Sequence, residues 1–486
     1  MSDKVVEFPT TEQERAALRK AKQDKARQEL VNRFVDEPNG LFHTPDGRAY
    51  ADLFVEGCRQ TWAVRSSRFR FEYMRYVNRQ IQQIFNAEPE MAIALKSSLS
   101  KSAVNAAIEH FEMKAIVSDV ARNVHLRVAS DSGDLFVDCC DRGWCAIRIT
   151  GAGWRVIEAP TAVRFRRTNG MLALPVPQRG TRIEELRPFL NVSDGDFVLV
   201  VAFILAALRD RGPYPILGLI GEQGSAKSSF ARIVRSLIDP SSVPPSSLPP
   251  SRRDLFIAAG NQHVLSFDNV SKLTPAMSDD LCRVATGGGF RIRTLCTDSD
   301  ETLLDVSRPI ILNGISNFVT RGDLQDRAIV LPLAPISDRR TERELFAEFE
   351  RKRAGIFGAV LDLMVRGVRA LPDTHLINAP RMADFATWAV ACGLDGFEGA
   401  YAANRQNAID ALLENDLLAK SLMALDLPWQ GTAQALLNVV GPATKISNPK
   451  VLSDDLRRLA PMLRTVGIEV SHDRTAERRL ILIQRR

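Results

Sequence analysis

The chain has 486 residues, 45% hydrophobic and 25% charged, with 64 Lys and Arg against 58 Asp and Glu for a formal net charge of +6. That length exceeds what one hydrophobic core supports, so several domains are expected, and the ordinary composition excludes a fibrous or wholly disordered chain. No apolar run approaches the ~18 residues of a membrane span, the Met1-Ser2-Asp3-Lys4 start lacks a signal-peptide layout, and seven scattered cysteines suit reduced thiols; a cytoplasmic protein without membrane contact is expected.

Residues 11 to 36, rich in Glu, Arg, Lys, Ala and Gln, read as a solvated helix or partly disordered arm. Helices follow over about Glu72 to Phe85 and Met91 to Phe111. A β-meander comes next, with strands at Val124 to Val128, Asp134 to Cys139, Trp144 to Ile149 and Trp154 to Ile157, separated by turn chemistry such as Asp131-Ser132-Gly133. Cys139, Cys140 and Cys145 are not followed by a second Cys-x-x-Cys pair, which disfavours zinc. From Val192 to Ala334 helix-like and strand-like runs alternate, the pattern of an α/β core. The Pro/Ser-rich stretch from Asp239 to Ser251 reads as a surface insertion within that core. Helical runs at 341 to 371 and 380 to 416 precede a compact C-terminal module.

Within the α/β segment the apolar run Pro215 to Ile220 leads into Gly221-Glu222-Gln223-Gly224-Ser225-Ala226-Lys227-Ser228 and then, through Ser229, into a helix reaching Ile238. Strand, small-residue loop, Lys-Ser and helix in this order form a phosphate-binding loop. Backbone N–H groups curl around a β-phosphate, the lysine bridges β- and γ-phosphates, and the serine hydroxyl holds Mg²⁺. ATP and Mg²⁺ are the expected cofactors, with 221 to 229 as the binding residues and Ser228 and Asp268 as metal ligands. Ala226 stands where glycine is usual, a replacement expected to suit the first helical turn.

His263 to Phe267 reads as a strand beside the phosphate-loop strand, ending in Asp268 to hold Mg²⁺ through water. Asn269 occupies the position of a water-polarising carboxylate; an amide orients water but takes no proton, so the base is open among Glu222, Asp279 and Asp280. Arg308 to Gly314 is a third strand, ending in Asn313, placed to sense a γ-phosphate. Arg327 immediately precedes a fourth, where it reaches a neighbouring subunit's nucleotide or pairs with Asp323 or Asp326; Arg321 is the less favoured choice.

The order of these elements is that of a ring-forming AAA+-like ATPase. From about Leu41 to Ala400 the chain resembles the ATPases and helicases of phages, plasmids and genomic islands related to superfamily 3 helicases and poxvirus-type primase-helicases. The phrases carrying the resemblance are 221 to 228, Ser266 to Ser271, Leu281 to Phe290, Arg308 to Ile315, Asp323 to Ile329 and Pro380 to Phe385. It implies a multidomain α/β protein with a P-loop NTPase core, acting as a hexameric ATPase on single-stranded or forked DNA, and makes Ala226 and Asn269 ordinary. It also points to a hairpin over Phe290 to Val306, whose acidic tip at Asp298 and Asp300 leaves Arg291 and Arg293 as backbone contacts if the hairpin tracks DNA rather than packing at an interface. Arg381 is a weaker second-sensor candidate.

The last 65 or so residues read as a winged helix, with Thr432 capping one helix and Ser453 capping a second along Leu456, Leu459 and Leu463 that stops at Gly467. Arg457, Arg458 and Arg464, with Arg474, Arg478, Arg479, Arg485 and Arg486, would meet phosphate unless the module binds protein. Near the N-terminus, Trp62, Arg65, Arg68, Phe69 and Arg70 read either as a single-strand platform or as an edge strand with solvated arginines. The expected organisation is therefore a charged helical arm (1–40), an N-terminal α+β domain (41–190), a P-loop ATPase core with the start of a lid (191–372), a helical lid or linker (373–418) and a winged-helix domain (419–486). The leading expectation is an ATP-driven helicase or translocase of a mobile element. The alternatives are an ATP-switched initiator or loader without unwinding, and a defence ATPase working with partner proteins.

Overall fold

The computed structural model describes residues 11–35, 40–158, 160–288, 290–293, 301–304, 306–336, 340–474 and 479–486. Two compact units emerge, one from Met1–Asp131, Phe136–Ile147 and Val156–Asn169, the other chiefly from Gly170–Arg486.

The first unit opens with α1 (Glu12–Phe34), the expected solvated helix, which is anchored by its C-terminal end. Leu30 is buried, and the Phe34 ring lies 5.2 to 5.6 Å from Phe69, Tyr73, Tyr76 and Phe111. An antiparallel sheet of β1 (Leu41–His43), β2 (Ala49–Val55) and β3 (Cys58–Ala63) follows, of which the sequence suggests a strand only from Trp62. Then come α2 (Ser67–Phe85), α3 (Pro89–Leu95) and α4 (Lys101–Val117). The single helix expected over Met91 to Phe111 is broken at Ser100, whose hydroxyl accepts from the Ala103 N–H and caps a new start. The meander strands are β4 (Val128–Asp131), β5 (Asp134–Asp138), β6 (Ala146–Thr150) and β7 (Gly153–Ile157), in spatial order β4-β5-β6-β7. The arginines of the proposed single-strand platform have partners of their own: Arg65 bonds Glu112, Arg68 pairs with Glu72 and Arg70 bonds Asn105, while Phe69 is fully buried.

In the second unit, α5 (Asp194–Ala207) is buried along nearly its whole length; no single helix among the described residues is long and apolar enough to cross a membrane. The core continues with β8 (Ile216–Ile220), α6 (Lys227–Ser236), α7 (Arg252–Asn261), β9 (Leu265–Phe267) and α8 (Pro275–Thr286). The hairpin β10 (Phe290–Arg293) and β11 (Glu301–Leu304), then β12 (Ile310–Gly314), α9 (Gly322–Gln325) and β13 (Ala328–Pro332) complete it. Four of the strands form one parallel sheet in the order β13-β8-β12-β9. The Asp268 strand is thus not beside the phosphate-loop strand as expected: β12 lies between them. Short parallel strands of near-continuous apolar character fit either position, and pattern alone does not order them.

The Pro/Ser-rich stretch is built into the core. The Asp239 carboxylate accepts from the N–H groups of His263 and Val264, and Ser246 makes a parallel bridge to Phe267 at the outer edge of β9. At the opposite edge the buried Asn404 side chain takes the N–H of Val330 at 3.1 Å and donates to its carbonyl at 2.7 Å.

Asn404 belongs to a helical layer of α10 (Glu342–Ala370), α11 (Ala383–Ala391) and α12 (Phe397–Asn415). The C-terminal module holds α13 (Leu417–Met423), β14 (Trp429–Gly431), α14 (Ala433–Thr444), α15 (Pro449–Thr465), β15 (Ile468–Arg474) and β16 (Arg479–Arg485), with strand order β14-β16-β15. Leu452, Leu456, Leu459 and Leu463 line the buried face of α15, each contributing about 1.5–3 kcal/mol by removal from water. Thr432 caps α14 as expected. Ser453 does not cap α15: Asn448 does, and the Ser453 hydroxyl donates back to the Pro449 carbonyl inside the helix.

Candidate functional site

The loop from Gly221 to Ala226 joins the C-terminal end of β8 to the N-terminus of α6, where orphan N–H groups and the helix dipole both favour an anion. Its closeness to the next strand requires a missing side chain: a Cβ on Gly221 would lie 2.5 Å from the Leu333 carbonyl oxygen and 2.8 Å from Ser225 Oγ. Lys227 Nζ donates to the carbonyls of Gly221 (2.8 Å) and Glu222 (2.7 Å) and to Ser225 Oγ (3.2 Å), holding the loop closed around an ammonium. Partial burial lowers the Lys227 pKa and the nearby Asp268 charge works against that shift. Ala226 is not in the first helical turn as its propensity suggested. It is the N-cap of α6 with φ 60° and ψ 27°, a left-handed conformation that costs a residue with a Cβ about 1–2 kcal/mol.

Across the loop, Ser228 Oγ donates to Asp268 Oδ2 at 2.9 Å. The Asn269 N–H donates to Asp268 Oδ1 (2.7 Å) and to Asn313 Oδ1 (3.1 Å), tying the ends of β9 and β12 together. Asn269 reaches this geometry with φ 56°, and asparagine is among the few residues that adopt it readily. Asn313 is 1% exposed, and with its oxygen engaged its Nδ2 is a buried donor with no hydrogen-bond partner among the described residues. Leaving such a donor open costs about 1–3 kcal/mol. Ser229 faces elsewhere: it is buried and its hydroxyl donates to Glu342 at the start of α10. Gln223 and Gly224 are exposed in the loop.

Beside the loop lies a pocket of about 470 Å³, lined by Leu190, Asn191, Ala226, Phe230, Ile336 and Leu345 among others. Its size suits a small organic ligand, and its walls mix apolar side chains with Asn191, Ser229, Arg340 and Glu342. Sequence reasoning missed it because its walls come from three distant segments; the Phe189-Leu190-Asn191 step just before α5 was its only local trace.

Of the candidate bases, Asp280 is buried and bonded to Arg252 at 2.7 Å, and Asp279 pairs with Arg321 at 3.2 Å. Glu222 is exposed on the loop.

Arg327 lies at the other end of the sheet. Its carbonyl accepts from the Ile216 N–H, at the start of β8, so five strand residues separate it from Gly221, about 16 Å. Its Nη1 donates to the Asp323 carbonyl at 2.7 Å and stands 3.9 Å from the Asp323 carboxylate. Arg381 is at this end too rather than at the phosphate loop, 2.8 Å from Asp326 and 3.5 Å from Asp323. The Asp326 carboxylate beside it raises its pKa further.

Among the arginines considered for nucleic acid, Arg464 and Arg479 are exposed, and Arg457 is exposed with an ion pair to Asp454. Arg458 instead bonds Asp416 and Asp455, turned toward the Arg321–Asp326 turn. The side chains of Arg291, Arg293 and Arg474, the hairpin tip with Asp298 and Asp300, and Arg478 all lie outside the described residues.

Residues 183–415 match the family model of the actinomycete integrative conjugative element replication protein, and residues 417–486 match the model of that protein's C-terminal domain. Among solved structures, SCCmec type IV Cch, described as an active helicase, is similar over 92% of this chain and 92% of its own at 12% identity, with a TM-score of 0.45. The apo C-terminal region of NrS-1 is similar over 80% of this chain and 91% of its own at 13% identity, with a TM-score of 0.38. At such values neither likeness decides the chemistry. No protein of curated function matches the sequence.

Proposed function

We propose that this chain, which belongs over residues 183–486 to the replication proteins of actinomycete integrative conjugative elements, is an ATP-driven, ring-forming DNA helicase or translocase of that replication. The observation that carries the reading is the split of charged groups between the two ends of one parallel sheet. Lys227, Ser228, Asp268 and Asn313 converge at one end, while Arg327 sits about 16 Å away at the other.

At the first end the loop, the Gly221 approach and the open Asn313 donor fit a triphosphate; the oxygens of Ser228 and Asp268 fit Mg²⁺, a hard cation that takes one or two protein oxygens and keeps its waters. When bound, Mg²⁺ neutralises charge on the β- and γ-phosphates. Lys227 exchanges its loop carbonyls for phosphate oxygens, Asn313 Nδ2 donates to the γ-phosphate or its attacking water, and the Asn269 N–H keeps both side chains in place. The pocket beside Ala226 takes the nucleobase, with Leu190, Phe230 and Ile336 as its apolar surfaces. Arg327, out of reach of its own loop, stabilises charge on the nucleotide of the next subunit, so the active form is a closed ring, in our reading a hexamer. The C-terminal module has the helix and strand order of a winged helix, and its exposed Arg464 and Arg479 meet DNA phosphate.

Unwinding of a forked duplex tests the assignment: the wild-type chain separates strands with ATP and Mg²⁺, and Lys227→Ala does not. Equal unwinding by both would sink it. One observation favours a second reading, a switch that binds DNA under ATP control without separating it: Asn269 replaces a carboxylate, and Asp279 and Asp280 are tied to arginines. ATP-dependent DNA binding with no strand separation would select it.

A further inference from the structure

The Arg327 end of the sheet opens into a cleft of about 440 Å³ between the Arg321–Asp326 turn, α12 and α15. Around the Asp323 and Asp326 carboxylates stand Arg327, Arg381 and Arg405. Three guanidinium groups against two carboxylates leave an excess of one positive charge, and its location is specific. Arg327 is held by Asp323 and Arg381 by both acids through a single nitrogen. Arg405 makes no hydrogen bond to any described residue, only an ion pair to Asp326 at 3.7 Å, and its side chain is 32% exposed. A guanidinium so placed keeps its five donors available to an anion entering the cleft. Arg458 of α15 closes the far wall, and Met462 packs 3.5 Å from where a Cβ on Gly322 would stand, so the C-terminal module shapes the turn that carries Arg327.

We propose that this cleft is an oxyanion socket for the triphosphate bound at a second copy's phosphate loop, with Arg405 as its principal ligand and Asp326 the internal anion that phosphate displaces. The inference rests on the shared-site reading above and adds to it a residue from the helical layer and a wall from the C-terminal module. A triphosphate tail is favoured over a nucleic-acid strand on two grounds. The cleft shares its turn with Arg327, and no aromatic side chain among the described residues lines it for base stacking.

The test uses full-length chains at a concentration where the wild type assembles, with ATP hydrolysis as readout. Arg405→Ala lowers turnover about 10²-fold, the usual cost of one lost oxyanion donor, while a fluorescent ATP analogue still binds the phosphate loop and the melting temperature is unchanged. Arg405→Lys keeps the charge without the fork and recovers part of the loss. Mixing Arg405→Ala with Lys227→Ala chains restores turnover, because the Lys227→Ala copy presents an intact arginine to the intact loop of its neighbour. Wild-type turnover in Arg405→Ala, a loss that mixing does not rescue, or a defect confined to DNA binding each overturns the proposal. If Arg327→Ala mixed with Lys227→Ala also fails to recover, the shared site itself falls; recovery there beside an inert Arg405→Ala rejects the cleft alone.

Discussion

The two ends of the β13-β8-β12-β9 sheet differ in how their polar groups are satisfied. At the loop end an ammonium is wrapped by carbonyls, a hydroxyl meets a carboxylate, and the buried Asn313 Nδ2 has no partner among the described residues. At the Arg327 end acids and guanidinium groups interlock, with a small positive excess. The two ends lie about 16 Å apart along the strands, and under the function proposed above they serve different subunits.

The sharpest break in that comparison is Arg327→Ala. If the arginine end serves a neighbour's nucleotide, hydrolysis falls about 10³-fold or more, and an equimolar mixture with Lys227→Ala regains activity that neither has alone. Normal hydrolysis by Arg327→Ala in isolation would mean the ends work independently. Next in size is Asn313→Ala, for which we expect about a 10²-fold loss in turnover in phosphate-release assays. Asn313→Asp keeps the acceptor for the Asn269 N–H yet removes the donor, so it is equally impaired if Nδ2 is the working group.

Gly314→Ala probes the backbone joining the end of β12 to the segment after β9: the added Cβ would clash with the Val270 carbonyl oxygen. A stability loss of about 1–3 kcal/mol is expected from denaturant unfolding. Ala226→Gly works in the opposite direction. Relief of the left-handed backbone offsets the extra entropy of glycine in the unfolded chain, for a net gain within about 1 kcal/mol in the same assay. The smallest effect is on pH. The ammonium of Lys227 is the form that holds phosphate and its pKa is lowered by burial, so nucleotide affinity declines as pH rises, beginning below the range where a free lysine loses its proton; an affinity flat up to that range would contradict it.

How legible this was in the sequence depends on whether the signal was local. The step from β8 through Gly221–Lys227 into α6 is contiguous, and so is the Thr432 cap. The insertion of β12 between β8 and β9 was invisible, because order within a parallel sheet is set by crossovers and not by the residues of any strand. Ala226 was misread for a related reason: helix propensity describes the interior of a helix, whereas the residue sits one position outside it, where handedness decides. The pocket that brings Leu190 to Ile336 and Leu345, and the meeting of Arg405 and Arg458 with the turn before Arg327, join distant segments, and no period or motif marks them.

Both flanks of the parallel sheet are partly covered. On one, Ser246, set among Pro244, Pro245, Pro249 and Pro250, bridges β9 at Phe267; on the other, Asn404 occupies the N–H and carbonyl of Val330. Prolines offer no backbone donor, and an amide side chain mimics a strand partner without being one. Both devices make these edges poor templates for an added strand, so the sheet is finished within the chain by side-chain and proline chemistry rather than by further strands.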